Sequence, residues 1–500
     1  MSEKMEQYKL KCTAYLSTID IHRLRAYGRS IGVSRPAAKD KEELIQDIVA
    51  ILAYELAPIE RSNRGAPVKN DAVDERIPAK IAEIKAECFP NGITVEFPPY
   101  DFQAERERVY QETQKYGMLV VNDPAVERDG AISKIVSRGQ VSYVDGEWIL
   151  LPLDASVSDK KIPIPLSLVE QYALRDGDVI TCNYREKDDW QKVEIIISVN
   201  GIWVEQLKER PRFDQCNVCY SQKPFELYEN GRFAKLTHKC IDWIFPLTRG
   251  QRACVISVPK AGKTKTLFQL AEATKALNSA AEVFVLLIDQ SYETVGEFRR
   301  VFGDTCFLYT TYEDDADRQV FVADYLLKRA KRYAESGKDV VLFVDSLTAL
   351  AHAFNDTEAS MGGKTLPCGL EVKTIHYLKK YFGSARCLEN GGSITMVGAV
   401  GIDTGDPMDE IIARELSDIA TMEFVLNNEL AVRRIYPAID FEKTQGKYNA
   451  KIKTKDEEEV EFLLKSVLLP KLGTEGILNL LRETKSKEDF IKIVKTESIN

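Results

Sequence analysis

The spacing of apolar positions changes character along the chain, and each change marks a different kind of element. Leu44, Ile45, Ile48, Val49 and Leu52 recur at helical spacing. Asp40 precedes them as a cap, with Glu43 at the capping-box position. Ser17-Thr18-Ile19-Asp20 offers the cap of an earlier helix, with Gly28 as its stop, so residues 15–56 read as two helices and a loop. From Pro58 to Arg76, around Ser62-Asn63-Arg64-Gly65, periodicity is lost and the stretch reads as a flexible linker. Residues 79–118 alternate helix-like and irregular pieces, broken at Phe97-Pro98-Pro99-Tyr100.

From about Gly130 to Asn200 the pattern is one of short strands. Trp148-Ile149-Leu150-Leu151, Lys161-Ile162-Pro163-Ile164, Asp178-Val179-Ile180-Thr181 and Val193-Glu194-Ile195-Ile196-Ile197 are apolar and rich in β-branched residues. Turn signals at Asp145-Gly146, Asp176-Gly177 and Asn200-Gly201 separate them, which predicts a small sheet or barrel. Beyond Gly250 strands alternate with helices, the pattern of a parallel sheet with crossover helices, and a helical tail follows about Asp456. No internal repeat is visible.

Composition narrows this picture only a little. A chain of 500 residues, 44% hydrophobic and 29% charged, is ordinary globular material of about three domains. The longest apolar runs, such as Val283 to Ile288, fit strands and not bilayers, so no membrane association is expected. The first residues lack the apolar core of a signal peptide, which places the protein in the cytoplasm as an expectation. Ten scattered cysteines fit reduced thiols better than a disulfide framework. A net charge of -9 gives no support to nucleic-acid binding, which draws on phosphate neutralisation.

The chemistry is concentrated in one strand–loop–helix. Cys254-Val255-Ile256-Ser257 reads as a buried strand that runs through Val258, Pro259, Lys260, Ala261, Gly262, Lys263 and Thr264 into a helix from Lys265 to Leu277. Such a loop cradles phosphates with its backbone N–H groups and the helix N-terminus. Lys263 would reach the terminal phosphates of ATP, and the Thr264 hydroxyl would sit on Mg2+. The strict motif has a glycine where this chain has Ser257. A second strand, Val340 to Val344, ends on Asp345, placed to hold the water shell of Mg2+.

These residues resemble the Rho family of transcription termination factors. Arg249-Gly250-Gln251-Arg252, Pro259-Lys260-Ala261-Gly262-Lys263-Thr264, Val285-Leu286-Leu287-Ile288-Asp289, Asp345-Ser346-Leu347-Thr348 and Phe382-Gly383-Ser384-Ala385-Arg386 carry the likeness. Ile402-Asp403-Thr404-Gly405 and Tyr436-Pro437-Ala438-Ile439-Asp440 continue it, in order, from about 210 to near 495. The family's own phosphate loop also lacks the leading glycine. The resemblance implies an α/β fold: a RecA-like P-loop core with an N-terminal helical module and a small OB-type β-barrel. On that basis 1–57 is a helical module, 58–125 linker and insertion, 126–205 an RNA-binding barrel and 206–248 a connector. The motor core is 249–455 and the helical tail 456–500. It further implies a ring-shaped, hexameric, ATP-driven RNA translocase that acts on the RNA polymerase complex, with ATP between subunits. Tyr436 matches the family's adenine-stacking aromatic. An alternative is a core tyrosine before Pro437.

Four departures surround the reaction. The family's water-polarising glutamate is Gln290 here, and an amide cannot take up the proton. Glu293 lies nearby but matches a different family position. The arginine finger falls on Lys447, which keeps charge but loses the planar fork. Two family arginines are Ser291 and Ala349. A channel-loop lysine that offers itself to RNA is Pro407, and the other channel loop keeps Lys364 but has Cys368 for a glycine. Two functions are therefore expected in competition: a slow or specialised Rho-like motor, and an ATP-binding, weakly or non-hydrolysing RNA-binding ring component, as a homo-hexamer or in a mixed ring with an active Rho. A function unrelated to transcription stands third.

In the barrel, Tyr143, Trp148, Tyr184 and Trp190 are candidate stacking faces for RNA, with Arg138, Lys160, Lys161 and Arg185 nearby. Of the family's first-hairpin aromatics at most Tyr143 remains, and Pro163 replaces another. Aromatics in a small sheet are also the usual core residues. Cys216 and Cys219, followed by His238 and Cys240, have something of a zinc ribbon's spacing, but the second pair is irregular, and thiols without a metal are the simpler expectation.

Overall fold

A computed structural model describes residues 2–33, 39–53, 55, 74, 76–89, 133–155, 162–187, 190–207, 209–221, 223–231, 233, 235–303, 306–359, 364–447 and 453–498. The chain forms two compact units, residues 1–119 and 120–500.

In the first unit, helices α1 (Ser2–Ser17), α2 (Ile21–Ile31), α3 (Lys41–Leu52) and α4 (Arg76–Cys88) share one core. The Asp20 carboxylate accepts from the N–H groups of His22 and Arg23, and Asp40 accepts from that of Glu43, so both expected caps form. The stop of α2 is not Gly28 but Gly32, which takes φ 88° and returns its N–H to the Gly28 carbonyl. Gly28 is buried inside the helix, which runs on past it. Helix α1 was not expected as an element, and α4 falls at the start of the segment read as alternating helix-like and irregular pieces. Tyr8, Cys12 and Leu16 of α1, and Ile77, Ile81 and Ile84 of α4, bury against Leu44 and Ile48 of α3. Thus α4, assigned from sequence to the insertion, packs in the core of the helical module. The break at 97–100 lies outside the described residues.

The second unit begins with a six-stranded antiparallel sheet in the order β3-β2-β1-β4-β5-β6. Its strands are β1 (Ser133–Val144), β2 (Glu147–Leu151), β3 (Ile162–Pro163), β4 (Val179–Lys187), β5 (Trp190–Val199) and β6 (Ile202–Trp203). Asp145-Gly146 and Asn200-Gly201 all take positive φ, the conformation whose twist suits a two-residue hairpin. Helix α5 (Leu166–Gln171) lies between β3 and β4, and β3 approaches β5, which curls the sheet into an OB-type barrel. Val141, Leu150, Val169, Ile180, Cys182, Val193 and Ile196 fill it.

After β7 (Val218–Cys219) the chain enters a parallel sheet in the order β10-β9-β11-β13-β8-β14. The strands are β8 (Arg252–Ser257), β9 (Ala281–Gln290), β10 (Phe307–Thr311), β11 (Asp339–Asp345), β13 (Ser393–Gly401) and β14 (Met422–Val425). β15 (Gln445–Gly446) adds antiparallel to β14, and β12 (Arg386–Leu388) joins β13 to β7. The unbroken apolar runs follow from burial on both faces. Val283, Val285 and Leu287 of β9 point to one core, while Phe284, Leu286 and Ile288 point to the other. On the first face lie α6 (Lys263–Leu277), α7 (Tyr292–Phe302) and the tail, through Leu464, Leu468, Ile477, Leu481 and Phe490. On the second lie α8 (Ala316–Glu335), α9 (Leu347–Ala359), α10 (Val372–Phe382) and α11 (Pro407–Ile419). No helix among the described residues is long and apolar enough to cross a membrane.

Barrel and parallel sheet are joined along α8. Arg329, 1% exposed, donates from Nε to Gln140 Oε1 at 2.8 Å and from Nη2 to the Leu153 carbonyl at 2.6 Å. Gln140 Nε2 returns a bond to the Tyr325 carbonyl, and the Tyr325 hydroxyl donates to Pro152 O. At the end of α8, Glu335 accepts from Arg175 and from the Phe213 N–H, while Asp178 is held by Arg210 and Asn200. Gly177 sits so close to α8 that a Cβ would lie 2.6 Å from Lys328 backbone atoms. Arg329→Ala would orphan Gln140 Oε1 and the Leu153 carbonyl in a dry interface. The loss should be on the order of 3 kcal/mol in chemical denaturation of the full chain, with Arg329→Lys recovering only part because an ammonium lacks the fork.

Candidate nucleotide site

The parallel sheet delivers the site. β8, β9, β11 and β13 all run the same way, so Ser257, Gln290, Asp345 and Gly401 reach one edge, with Ser257 paired in register to Gly401. The chain leaves β8 at Ser257, turns through Lys260 (φ 66°) and Gly262 (φ 101°), and starts α6 at Lys263. Gly262 would meet nothing with an added Cβ, so its backbone conformation is what calls for glycine. Ser257 is a buried strand residue that takes no such conformation, which explains why the missing motif glycine costs nothing here. No side chain caps α6, leaving its first-turn N–H groups to face an anion.

Lys263 and Asp345 face each other across this edge. Asp345 is 4% exposed; it accepts from the Thr264 hydroxyl, while its Oδ2 has no partner among the described residues. Burial pushes the Asp345 carboxyl above its usual range, against the opposing pull of the Thr264 bond and the Lys263 charge. Burial likewise lowers the Lys263 ammonium, opposed by Asp345 and Asp409. Both charges are therefore held in a desolvated state that an added cation and an added polyanion would relieve together. The orphaned Asp345 oxygen beside the Thr264 hydroxyl fits a hard divalent ion such as Mg2+.

Gln290 ends β9 half-buried, its amide donating to the Ile288 carbonyl at 3.3 Å. Ser291, where the family has arginine, caps α7 by accepting from the Thr294 N–H. Glu293 is exposed and bonded to its own N–H and to the Ser291 hydroxyl, which lowers its pKa and makes it a poorer base. Ala349 sits on α9, next to Thr348, whose hydroxyl accepts from the Gly401 N–H. Tyr436 is 48% exposed, so it is no core residue, and Lys265 of α6 lies 5.5 Å from its ring centre.

Lys447 does not join this edge within the chain. It follows β15, whose Gly446 pairs with Met422, itself in register with Ala253 at the start of β8. Its ammonium caps α11 through the carbonyls of Ser417 (2.8 Å) and Asp418 (3.0 Å). Four strand residues, about 13 Å, separate that level from Ser257.

Lys364 is exposed on a turn closed by the Val372 N–H on its carbonyl, and Cys368 is half-buried in the same turn. Pro407 begins α11 behind its cap Asp406. Sequence reasoning missed the link from this loop to the phosphate site. Asp409 is buried and accepts from Thr404 Oγ1 at 2.7 Å, it lies 2.6 Å from His352 Nε2, and its charge reaches Lys263. Fifty-seven positions separate His352 from Asp409, and no local motif joins them.

In the barrel, Tyr143 and Trp148 are cross-strand partners with ring centres 5.0 Å apart, and Tyr143 is 52% exposed. Trp148 and Tyr184 both pack, partly buried, on the barrel core, and Arg138 points to Tyr333 of α8. The side chains of Lys160, Lys161, Arg185 and Trp190 lie outside those described. The four residues with zinc-like spacing do not converge. His238 is buried with both ring nitrogens on the carbonyls of Phe233 and Gln269, Cys240 is buried, Cys216 bonds the Arg212 carbonyl and Cys219 faces Cys387.

The family described as ATP synthase alpha/beta family, nucleotide-binding domain, matches residues 237–445. Transcription termination factor Rho of Escherichia coli (strain K12) is 31% identical over 366 residues, covering 71% of this chain and 85% of its own. The Rho of Buchnera aphidicola subsp. Schizaphis graminum is 31% identical over 365 residues, at the same coverage. Among solved structures, a prototypical type III secretion ATPase aligns with TM-score 0.44 and 22% identity over 53% of this chain and 84% of its own. The assembled ATPase EscN of enteropathogenic E. coli aligns with TM-score 0.46 and 17% identity over 74% and 98%. With a P-loop on a parallel sheet, a barrel before it and this identity over most of the relatives' length, the chain is a nucleotide-binding member of the transcription termination factor Rho family.

Proposed function

We propose that the protein is a divergent transcription termination factor that binds ATP with Mg2+, and RNA, in a ring of subunits, and turns ATP over slowly. The observation that carries this reading is the contrast within one sheet edge: Lys263 and Thr264 begin α6 there beside the buried Asp345, while β9 ends on the amide Gln290. The N–H groups of α6 and Lys263 hold the phosphates, Tyr436 stacks on the base, and Thr264 with Asp345 hold the metal. Bound Mg2+ would neutralise charge on the phosphate oxygens. Gln290 orients the attacking water without taking its proton, and Lys447 of a neighbouring copy offers a point charge in place of a fork. RNA stacks on Tyr143 and Trp148 and meets Lys364 in the ring channel, with the RNA polymerase complex as partner and the cytoplasm as location.

The second reading, a hydrolysis-deficient ring component that forms a homo-hexamer or joins an active Rho, is favoured by Glu293. Hydrogen bonding at the start of α7 holds the Glu293 carboxyl below the usual carboxylate range, which makes it a poor substitute base for Gln290.

ATP turnover with and without RNA separates the two readings. The wild type should be slow, and a Gln290→Glu, Lys447→Arg double change should raise RNA-stimulated turnover by about 10²-fold or more. Brisk RNA-stimulated turnover in the wild type would exclude the silent component, and failure to bind nucleotide at saturating ATP would exclude both readings. The metal role of Asp345 predicts a pH effect. Its carboxyl is raised by burial, so Mg2+-dependent nucleotide affinity should fall on acidification earlier than an ordinary carboxylate would allow, while metal-free binding changes less. Titration of binding with and without Mg2+ reads this directly. For the barrel, Tyr143→Ala should weaken single-stranded RNA binding by about 1–3 kcal/mol with the fold intact. Unchanged affinity in a fluorescence titration would remove Tyr143 from the interface.

A further inference from the structure

A pair of thiols unrelated to the nucleotide chemistry sits where the connector meets the motor sheet. Cys219 of β7 and Cys387 of β12 are register partners on antiparallel strands, and the Cys219 thiol donates to the Cys387 sulfur at 3.1 Å. Directly opposed residues on such strands have Cα atoms about 4.5–5.5 Å apart, inside the range a disulfide spans. The frame is held on both sides. Leu388 pairs with Val218, Glu389 N–H donates to the Asn217 carbonyl, and Asn217 Nδ2 donates to Glu389 Oε2 at 2.9 Å. Before Cys387, Arg386 donates to the Phe213 carbonyl at 3.0 Å and lies over the Phe213 ring. Both cysteines are half-buried, within reach of a small reagent, whereas Cys182, Cys240 and Cys254 are buried.

We infer that Cys219 and Cys387 form an oxidation-responsive dithiol that closes to a cross-strand disulfide by exchange with a small-molecule disulfide, clamping the connector to the motor core. The Cys219 thiolate attacks one sulfur of the small disulfide and expels its other half as a thiolate. The Cys387 thiolate then attacks the Cys219 sulfur of the mixed disulfide and expels the second half. Two protons pass to solvent, two electrons pass to the small disulfide, and one S–S bond forms in the protein as one is lost from the reagent. Burial and the neighbouring Cys219 thiol push the Cys387 thiol up to about 12, so closure is slow at neutral pH and quickens with alkalinity. In a reducing compartment the pair rests open and closes only under oxidant load.

The consequence follows from what each cysteine holds. β12 hangs on β13, a central strand that ends at Gly401 beside Lys263, and Cys219 belongs to the segment that links barrel to motor. The bond would join residues 168 positions apart, and a closed loop of that length restrains the unfolded chain strongly.

The test exposes the full-length protein to oxidised glutathione at mildly alkaline pH, blocks remaining thiols, and maps peptides without reduction. The expected result is one linked pair, Cys219 with Cys387, two hydrogens lighter than the separate peptides. The thermal midpoint should rise by several degrees, return on treatment with a dithiol reductant, and stay put in Cys219→Ser and Cys387→Ser proteins. Recovery of the two cysteines as separate adducts, linkage of either to another cysteine, or a linked pair with an unchanged midpoint would each overturn the proposal. The peptide map uses wild-type protein alone, so a variant that fails to fold does not obscure the outcome.

Discussion

Parallel pairing of β8, β9, β11 and β13 is the constraint on which the nucleotide site depends. Strands that run the same way must end on the same edge, so residues far apart in the chain, Ser257, Gln290, Asp345 and Gly401, arrive together without any direct bond between their segments. The register also buries what it assembles. Asp345 and Lys263 lose water on entering this edge, and each is displaced toward its neutral form. A site built this way is poised for a ligand that brings a cation and a polyanion at once.

The same sheet sets a polarity for the ring reading. Residues at the strand ends serve the chain's own phosphate loop, while Lys447, at the level of the strand starts, is turned from it and rests on the end of α11. Lys447 and the phosphate-loop edge thus lie at opposite ends of β8. Of the side chains at the two levels, the Gln290 amide lacks a basic atom and the Lys447 ammonium lacks a planar fork. Ser291 caps α7, and Ala349 lies within α9.

The joint between barrel and motor is polar and buried, which makes it specific more than sticky. Arg329 with Gln140, Arg210 with Asp178 and Arg175 with Glu335 pair at defined distances, and a shifted barrel would leave several of them unpaired. The connector takes part in this arrangement: Phe213 donates its N–H to Glu335 and lies under Arg386, one residue before Cys387. Barrel, connector and motor sheet therefore share a continuous chain of contacts within the second unit.

Local patterns determined much of this by themselves. The caps Asp20 and Asp40, the hairpin turns at 145–146 and 200–201, the apolar runs of β8, β9 and β11, and the loop from Pro259 to Thr264 are all set by short-range sterics and periodicity, and each was legible. So were the departures at Gln290 and Lys447, which need only a residue identity at a matched position. What escaped depends on packing. Gly28 carries a stop signal inside a helix that runs on to Gly32, and α1 enters the helical core although no element was expected there. Tyr143 and Tyr184 look alike in sequence, yet one is exposed and the other packed inward. The zinc-like spacing dissolved because His238 and Cys240 are buried separately, while Cys219 found a partner 168 positions away. Spacing along a chain records neighbours within a turn or a hairpin; which distant side chains share one desolvated space is decided only when the sheet and its helices close around them.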